Sequence, residues 1–263
     1  DRTAHLPRTN LLLTLLCGVL LLYFPWEGRP VFEILYIDDV VSYPVALVLA
    51  LTLFLPVRET SPYRRLLIWI AQHPRTLGFS AFVALSLLSP LIYQGKPLST
   101  DEYLFWFQAH TFAQGNLYAS YPREWLHHLL ISPDLFLTDW EKGRILSPYW
   151  PGFSLLLAPF AALGHPWMCN PLIVGLSIVL LAAIARELFS RQETQGLVVL
   201  LTAGSACFLL NGVAFYAMPA HLLFNALFTW LVLRPTTGRL LLAGIAGSMA
   251  LASSPDKWAH VGN

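Results

Sequence analysis

Repeated apolar runs, several approaching the ~20 residues that carry a helix across a bilayer, constrain this chain more than any other feature. In lipid every backbone polar group must be satisfied within the segment, so such runs predict helices. They fall at residues 11–25, 40–57, 76–93, 167–189, 195–211, 216–233 and 240–252. Composition points the same way. Hydrophobic residues make up 56% and charged residues 12%, against roughly 45–50% and about 25% in soluble domains. The predicted class is therefore all-α, a polytopic transmembrane helix bundle. A net charge of +1 gives none of the basic excess that marks a nucleic-acid partner. Cys17, Cys169 and Cys207 all sit in apolar runs, without ligand or disulfide spacing, and read as small buried residues.

Arginine placement orients the runs, because cytoplasmic loops carry the excess of Lys and Arg. Arg58, Arg64, Arg65 and Arg75 lie between the second and third runs, and Arg2 and Arg8 precede the first. Both regions are predicted to be cytoplasmic. The third run then exits, which makes the loop 94–150 extracytoplasmic. Segment 151–164 is apolar but short for a span. If it crosses, Arg186, Arg191, Arg234 and Arg239 end outside; if it dips in and returns, they lie inside. We read it as a re-entrant or tilted short helix. The domains expected are 1–75, two additional N-terminal helices with a cytoplasmic loop; 76–252, a transmembrane module with the outer loop 94–150; and 253–263, a polar tail at a truncation point. Trp26, Trp69, Trp125, Trp140, Trp150, Trp167 and Trp230 fall near these boundaries, as an aromatic belt does.

The outer loop holds most of the chemistry. It opens on Ser99-Thr100-Asp101-Glu102, a capping box that predicts a helix from Thr100 to the Gly115-Asn116 stop. Capping alone accounts for Glu102. A favourable helix-dipole contact explains Asp101 less completely, so Asp101 is the candidate catalytic base. Lys142-Gly143-Arg144 places two cations around a glycine that lets backbone approach a phosphate, although spacing alone favours a solvated turn. Tyr149 stands where the loop returns to the membrane. The adjacent His127 and His128 point in different directions on a helix and have no matching third metal ligand. His221 lies inside an apolar run, where an ionisable group marks either a functional cavity or a satisfied interior histidine.

From about residue 76 to 252 the chain resembles the GT-C membrane glycosyltransferases, of the protein O-mannosyltransferase and aminoarabinose-transferase type. The likeness rests on Thr100-Asp101-Glu102-Tyr103, then Gln114-Gly115-Asn116-Leu117-Tyr118, then the stretch from Lys142-Gly143-Arg144 to Pro148-Tyr149-Trp150-Pro151-Gly152. Asn170-Pro171-Leu172, Ala185-Arg186-Glu187-Leu188-Phe189 and the small residues before His221 add to it. Trp150-Pro151 departs from the family's usual Pro-Pro. The resemblance implies a GT-C-like fold and transfer of a sugar, with inversion, from a polyprenyl-phosphate donor to a hydroxyl of a lipid or protein acceptor. The setting would be the outer face of a bacterial inner membrane. Asp101 and Glu102 would be the catalytic pair, with Lys142, Arg144, Tyr149 and His221 binding substrate. It also implies helices beyond this stretch. No cofactor is specified, and a divalent metal is compatible with the site. Two other readings stand beside this one: a transporter with a site near His221, and a non-catalytic membrane scaffold, which would leave the long outer loop unexplained.

Overall fold

The computed structural model describes residues 25–26, 29–30, 62–129 and 135–254; the side chains of 25–26, 29–30, 127–129 and 206 are outside that description. The chain divides into two compact units, Asp1–Glu59 and Thr60–Asn263. In the first, β1 (Pro25–Trp26) pairs antiparallel with β2 (Arg29–Pro30). Pro25 is thus a strand residue, although the sequence placed it at the end of a helix. The remainder of the expected helices 11–25 and 40–57 lies outside the described residues, as do residues 255–263 of the expected tail.

The second unit is helical, as its apolar runs require. It contains α1 (Pro62–Gln72), α2 (Pro74–Tyr93), α3 (Thr100–Ala113), α4 (Arg123–Leu129), α5 (Pro151–Ala162), α6 (Cys169–Leu188), α7 (Gln192–Ala203), α8 (Ala206–Val213), α9 (Met218–Val232) and α10 (Thr237–Ala252). Two spans, Pro74–Tyr93 and Pro166–Leu188, are long and apolar enough to cross a membrane; the second is α6 with the 3-10 turn Pro166–Met168 that leads into it. At 1.5 Å per residue, α2 is about 30 Å long, the thickness of a hydrocarbon core. Phe79, Leu87 and Leu91 on α2 are exposed, as side chains facing lipid would be. The protein is an all-α, integral membrane protein in its described part.

Contacts between helix ends fix the order of crossings. α2 starts with Pro74 at its first turn and stops at Gln94 and Gly95, both left-handed with φ of 52° and 70°. Gly95 lies against the Trp167 ring, so α6 begins where α2 ends. The two helices run antiparallel. Gly78 and Gly175 bring them so close that a Cβ on either would meet the other's carbonyl oxygen at 2.5 or 2.6 Å. At the far end Arg186 donates to the Ala71 carbonyl at 2.6 Å, and Arg64 pairs with Glu193 at 2.7 Å. α7 and α8 return to the first end with a bend of 52°. α9 runs back, because Arg234 beyond its end pairs with Glu187 of α6 at 2.7 Å. α10 comes up again, and its Ala250 and Ala252 meet His221 and Gly152. One end therefore carries Asp101 and Glu102; the other carries Arg64, Arg65, Arg75, Arg186, Arg191, Arg234 and Arg239. We call them the acid end and the arginine end.

This ordering places 151–164. α5 starts from the loop at the acid end and hands over to α6 at the same end, so it does not carry the chain across. Three local features of this unit differ from the sequence reading. Residues 62–72, expected as loop, form α1, whose Leu67, Ile70 and Ala71 pack inward. The expected helix 195–211 is broken at Gly204 and Ser205, where Ser205 turns extended. The outer loop contains a three-stranded antiparallel sheet in the order β3 (Ala119–Ser120), β5 (Arg144–Leu146), β4 (Leu137–Asp139). The main apolar core lies beneath it, around Leu104, Phe105, Leu126, Tyr149, Phe153, Leu157 and Phe215.

Candidate functional site

The start of α3 is built by the predicted capping box. Ser99 Oγ accepts from the Glu102 amide at 3.2 Å, and Glu102 Oε2 accepts from the amides of Ser99 at 3.1 Å and Leu98 at 2.7 Å. The structure adds a third partner: Glu102 Oε1 accepts from the Phe215 amide at 3.3 Å, on the link between α8 and α9. Glu102 is 1% exposed, with both carboxylate oxygens engaged. Asp101, its neighbour, is exposed. The Tyr149 hydroxyl donates to its carboxylate. Tyr149 is itself buried, with its ring 4.5 Å from that of Phe105. Burial first, then the hydrogen bond and negative charge of Asp101 and the nearby Tyr216, push the Tyr149 hydroxyl above the ordinary tyrosine range. It stays protonated and keeps donating, which fixes the direction of the Asp101 carboxylate.

The link that Glu102 holds is irregular backbone in an apolar setting, and its polar groups need partners. Asn170 Nδ2 reaches the carbonyls of Ala214 at 2.7 Å, Tyr216 at 2.9 Å and Asn211 at 3.3 Å. Ser89 Oγ donates to the Val213 carbonyl at 2.7 Å. The Tyr216 hydroxyl donates back to Ser99 Oγ at 2.9 Å, closing the circuit onto the α3 cap. Asn170, Ser89 and Tyr216 were not singled out as site residues from the sequence. Polar side chains isolated in apolar runs were the available signal.

Lys142 and Arg144 sit elsewhere on the loop. Asp139 Oδ1 accepts from the Lys142 amide at 3.1 Å, and the Lys142 side chain is exposed. Gly143 adopts φ of 67°, and a Cβ there would collide with the Tyr121 carbonyl, whose own amide donates to Gly143 at 2.8 Å. Gly143 is thus required by the turn itself. Arg144 stacks over the Tyr118 ring, 4.1 Å from its centroid. Strand β5 then runs toward Tyr149 and is tied to α3 by Gln108, which accepts from the Ser147 amide at 2.9 Å and donates to the Leu117 carbonyl at 2.9 Å. Ser154 Oγ donates to the Phe105 carbonyl at 3.2 Å and anchors α5 on the same helix. Tyr149 meets Asp101 directly; Arg144 on the sheet instead engages Tyr118, just before β3.

His221 is half-buried. Its Nδ1 lies 2.8 Å from the Ala250 carbonyl, so it pins α9 to α10. A cavity of about 370 Å³ lies at the α7–α8 break, lined by Ser205, Phe208, Asn211, Met218, Pro219 and Leu222 among others, and His221 is not in its wall. Among the described residues no three His, Cys, Asp or Glu side chains gather as metal ligands would. The chain matches no family model, no curated protein and no solved structure, so its chemistry rests on this geometry and on the residues that build it.

Proposed function

We propose that the protein transfers a sugar from a polyprenyl-phosphate-linked donor to an acceptor hydroxyl at its acid end, with inversion, and that Asp101 is the base. One observation supports this most: the adjacent acids are divided in role. Glu102 is buried and fully engaged by backbone amides, whereas Asp101 is exposed and aimed by a protonated tyrosine. In this reading Asp101 takes the acceptor proton as the acceptor oxygen attacks the sugar carbon. The bond from that carbon to the phosphate oxygen breaks, and the phosphate leaves with the electron pair. A phosphate leaving group needs charge stabilisation more than a general acid. Lys142 and Arg144 are the loop cations proposed to supply it. The seven arginines named above favour the opposite end as the cytoplasmic one by the positive-inside rule. Transfer would then occur outside the bacterial inner membrane. Glu102 becomes a residue that positions Asp101.

The test is sugar transfer in membranes containing the full natural protein, at matched expression. Asp101→Asn keeps size but cannot accept the proton; the expected loss is on the order of 10²–10⁴-fold. Near-normal transfer by Asp101→Asn would remove it as the base. If neither it nor Lys142→Ala and Arg144→Ala together changes transfer, the transferase reading fails. A second reading, membrane transport, draws on the broken α7–α8 pair with a cavity at its break. It requires Cys207 at that cavity to react with impermeant thiol reagents from both sides of the membrane; one-sided reaction counts against it.

A further inference from the structure

The helix missed in the sequence, α1, has a second face. Leu67, Ile70 and Ala71 turn inward, and α7 approaches so closely that a Cβ on Gly196 would collide with the Leu67 carbonyl. The other side exposes Tyr63, Leu66 and Trp69, spaced three residues apart along one stripe. His73 continues the stripe, its ring stacked 5.0 Å from that of Trp69. Arg65 on α1 and Arg75 in the first turn of α2 are exposed. Pro74, two residues after α1 ends, opens the spanning helix α2, so α1 sits at the depth where a bilayer's apolar core gives way to headgroups. The charge around it is one-sided. At this end the described acids are Glu187 and Glu193, and both are engaged by Arg234 and Arg64.

An amphipathic helix with aromatic and aliphatic side chains beside arginines fits the plane of a membrane surface, and anionic headgroups complement its charge. We infer that α1 is an interfacial helix that seats the Tyr63–Leu66–Trp69 stripe among the lipids of the arginine-end leaflet and holds anionic phospholipid headgroups with Arg65 and Arg75. This inference needs only the membrane setting and is independent of the transferase reading.

The test places a polarity-sensitive fluorophore on Leu66→Cys in the full chain, with Cys17, Cys169 and Cys207 replaced by alanine. The protein is reconstituted into vesicles of phosphatidylcholine alone or of phosphatidylcholine with phosphatidylglycerol. Quenching by acrylamide, a neutral quencher that the surface charge does not repel, should fall several-fold in the anionic vesicles, and high salt should restore it, since screening weakens headgroup attraction. Arg65→Gln with Arg75→Gln should abolish the difference between vesicles. Equal quenching in both vesicle types overturns the inference, whether the stripe is open in both or shielded in both. Shielding in lipid-free detergent that grows with protein concentration indicates a second copy on this face and also overturns it. The comparison between vesicles uses the native arginines, so it decides the matter even if the double variant does not fold.

Discussion

At the acid end, Glu102, Asn170 and Ser89 point into the protein, exposed by 1%, 3% and 0%, and each binds the backbone of residues 211–216. At the arginine end the ion pairs stay near the surface. Arg64 and Glu193 have side-chain exposures of 42% and 29%, and Arg234 and Glu187 of 69% and 24%. The two ends differ in what they must hold. At the acid end α8 stops short of α9, and the stretch between has amides and carbonyls with no helical partners. Burying them unpaired is costly, so side chains from α2, α3 and α6 converge to pair them. The connection between α6 and α7 is exposed, and so is the hydrogen bond that serves it, which Gln195 donates to the Phe189 carbonyl at 2.7 Å. Asp101 is aimed from a rigid platform because its neighbour is spent on this task.

Substitutions sharpen that contrast. Glu102→Ala should have the largest effect on stability. It leaves the buried Phe215 amide without its acceptor, at about 1–3 kcal/mol, and strips the acceptor from the amides of Leu98 and Ser99, which lie nearer the surface. The summed loss should be about 2–4 kcal/mol, read as the denaturant midpoint of helix unfolding in detergent. Glu102→Gln is the finer probe. A lone capping box accepts Gln, but one amide oxygen cannot serve both Ser99 and Phe215 from opposite sides of the carboxylate. A cost of about 1–3 kcal/mol is expected; a variant as stable as the parent would break the argument that Glu102 couples α3 to the α8–α9 link.

Asn170→Ala comes next. It strips donors from three carbonyls, yet under-satisfied carbonyls are tolerated better than orphaned amides. The expected loss is about 1–2 kcal/mol, with proteolysis or amide exchange of 211–217 rising before the rest of the chain. Tyr216→Phe removes one hydroxyl donor to Ser99 and should cost about 0.5–1.5 kcal/mol. If Asn170→Ala opened the whole bundle together, the link would be no separate element.

How much of this was legible beforehand follows the range of the forces. The α3 cap, the spans α2 and α6, and the stop near Gly115 were readable because each depends on residues within a turn or two. The capping box could not reveal the Phe215 amide on Glu102, which arrives from 113 positions away. α1 was hidden because its arginines, read alone, resemble a cytoplasmic loop; its inward residues gain their value only against α7. Strands of two or three residues carry too little alternation to register, so the sheet holding Arg144 was invisible. His221 stood open between a cavity and a satisfied interior position, and the Ala250 carbonyl supplies the interior partner. The placement of α5 at one end needed the contact between Gly95 and Trp167, which no local pattern encodes.

The smallest effect is expected from the Arg64–Glu193 pair, and its pH dependence tests the other half of the comparison. The Glu193 backbone hydrogen bond first, then the hydrogen bond from Arg64, hold its carboxyl below the usual glutamate range. A lowered folded-state value means that the unfolded chain binds the proton more readily. The contribution is therefore present above the ordinary glutamate value of about 4.3 and fades as pH falls through the lower folded value. Surface exposure and salt weaken it further. Glu193→Gln should thus be slightly less stable than the parent at neutral pH, with the gap closing as the solution is acidified and narrowing in high salt. The measurement is the difference in unfolding midpoint between the two proteins across that acid range. A large gap that persists in acid would mean that the arginine end relies on buried polar contacts as heavily as the acid end does, and the contrast between them would be lost.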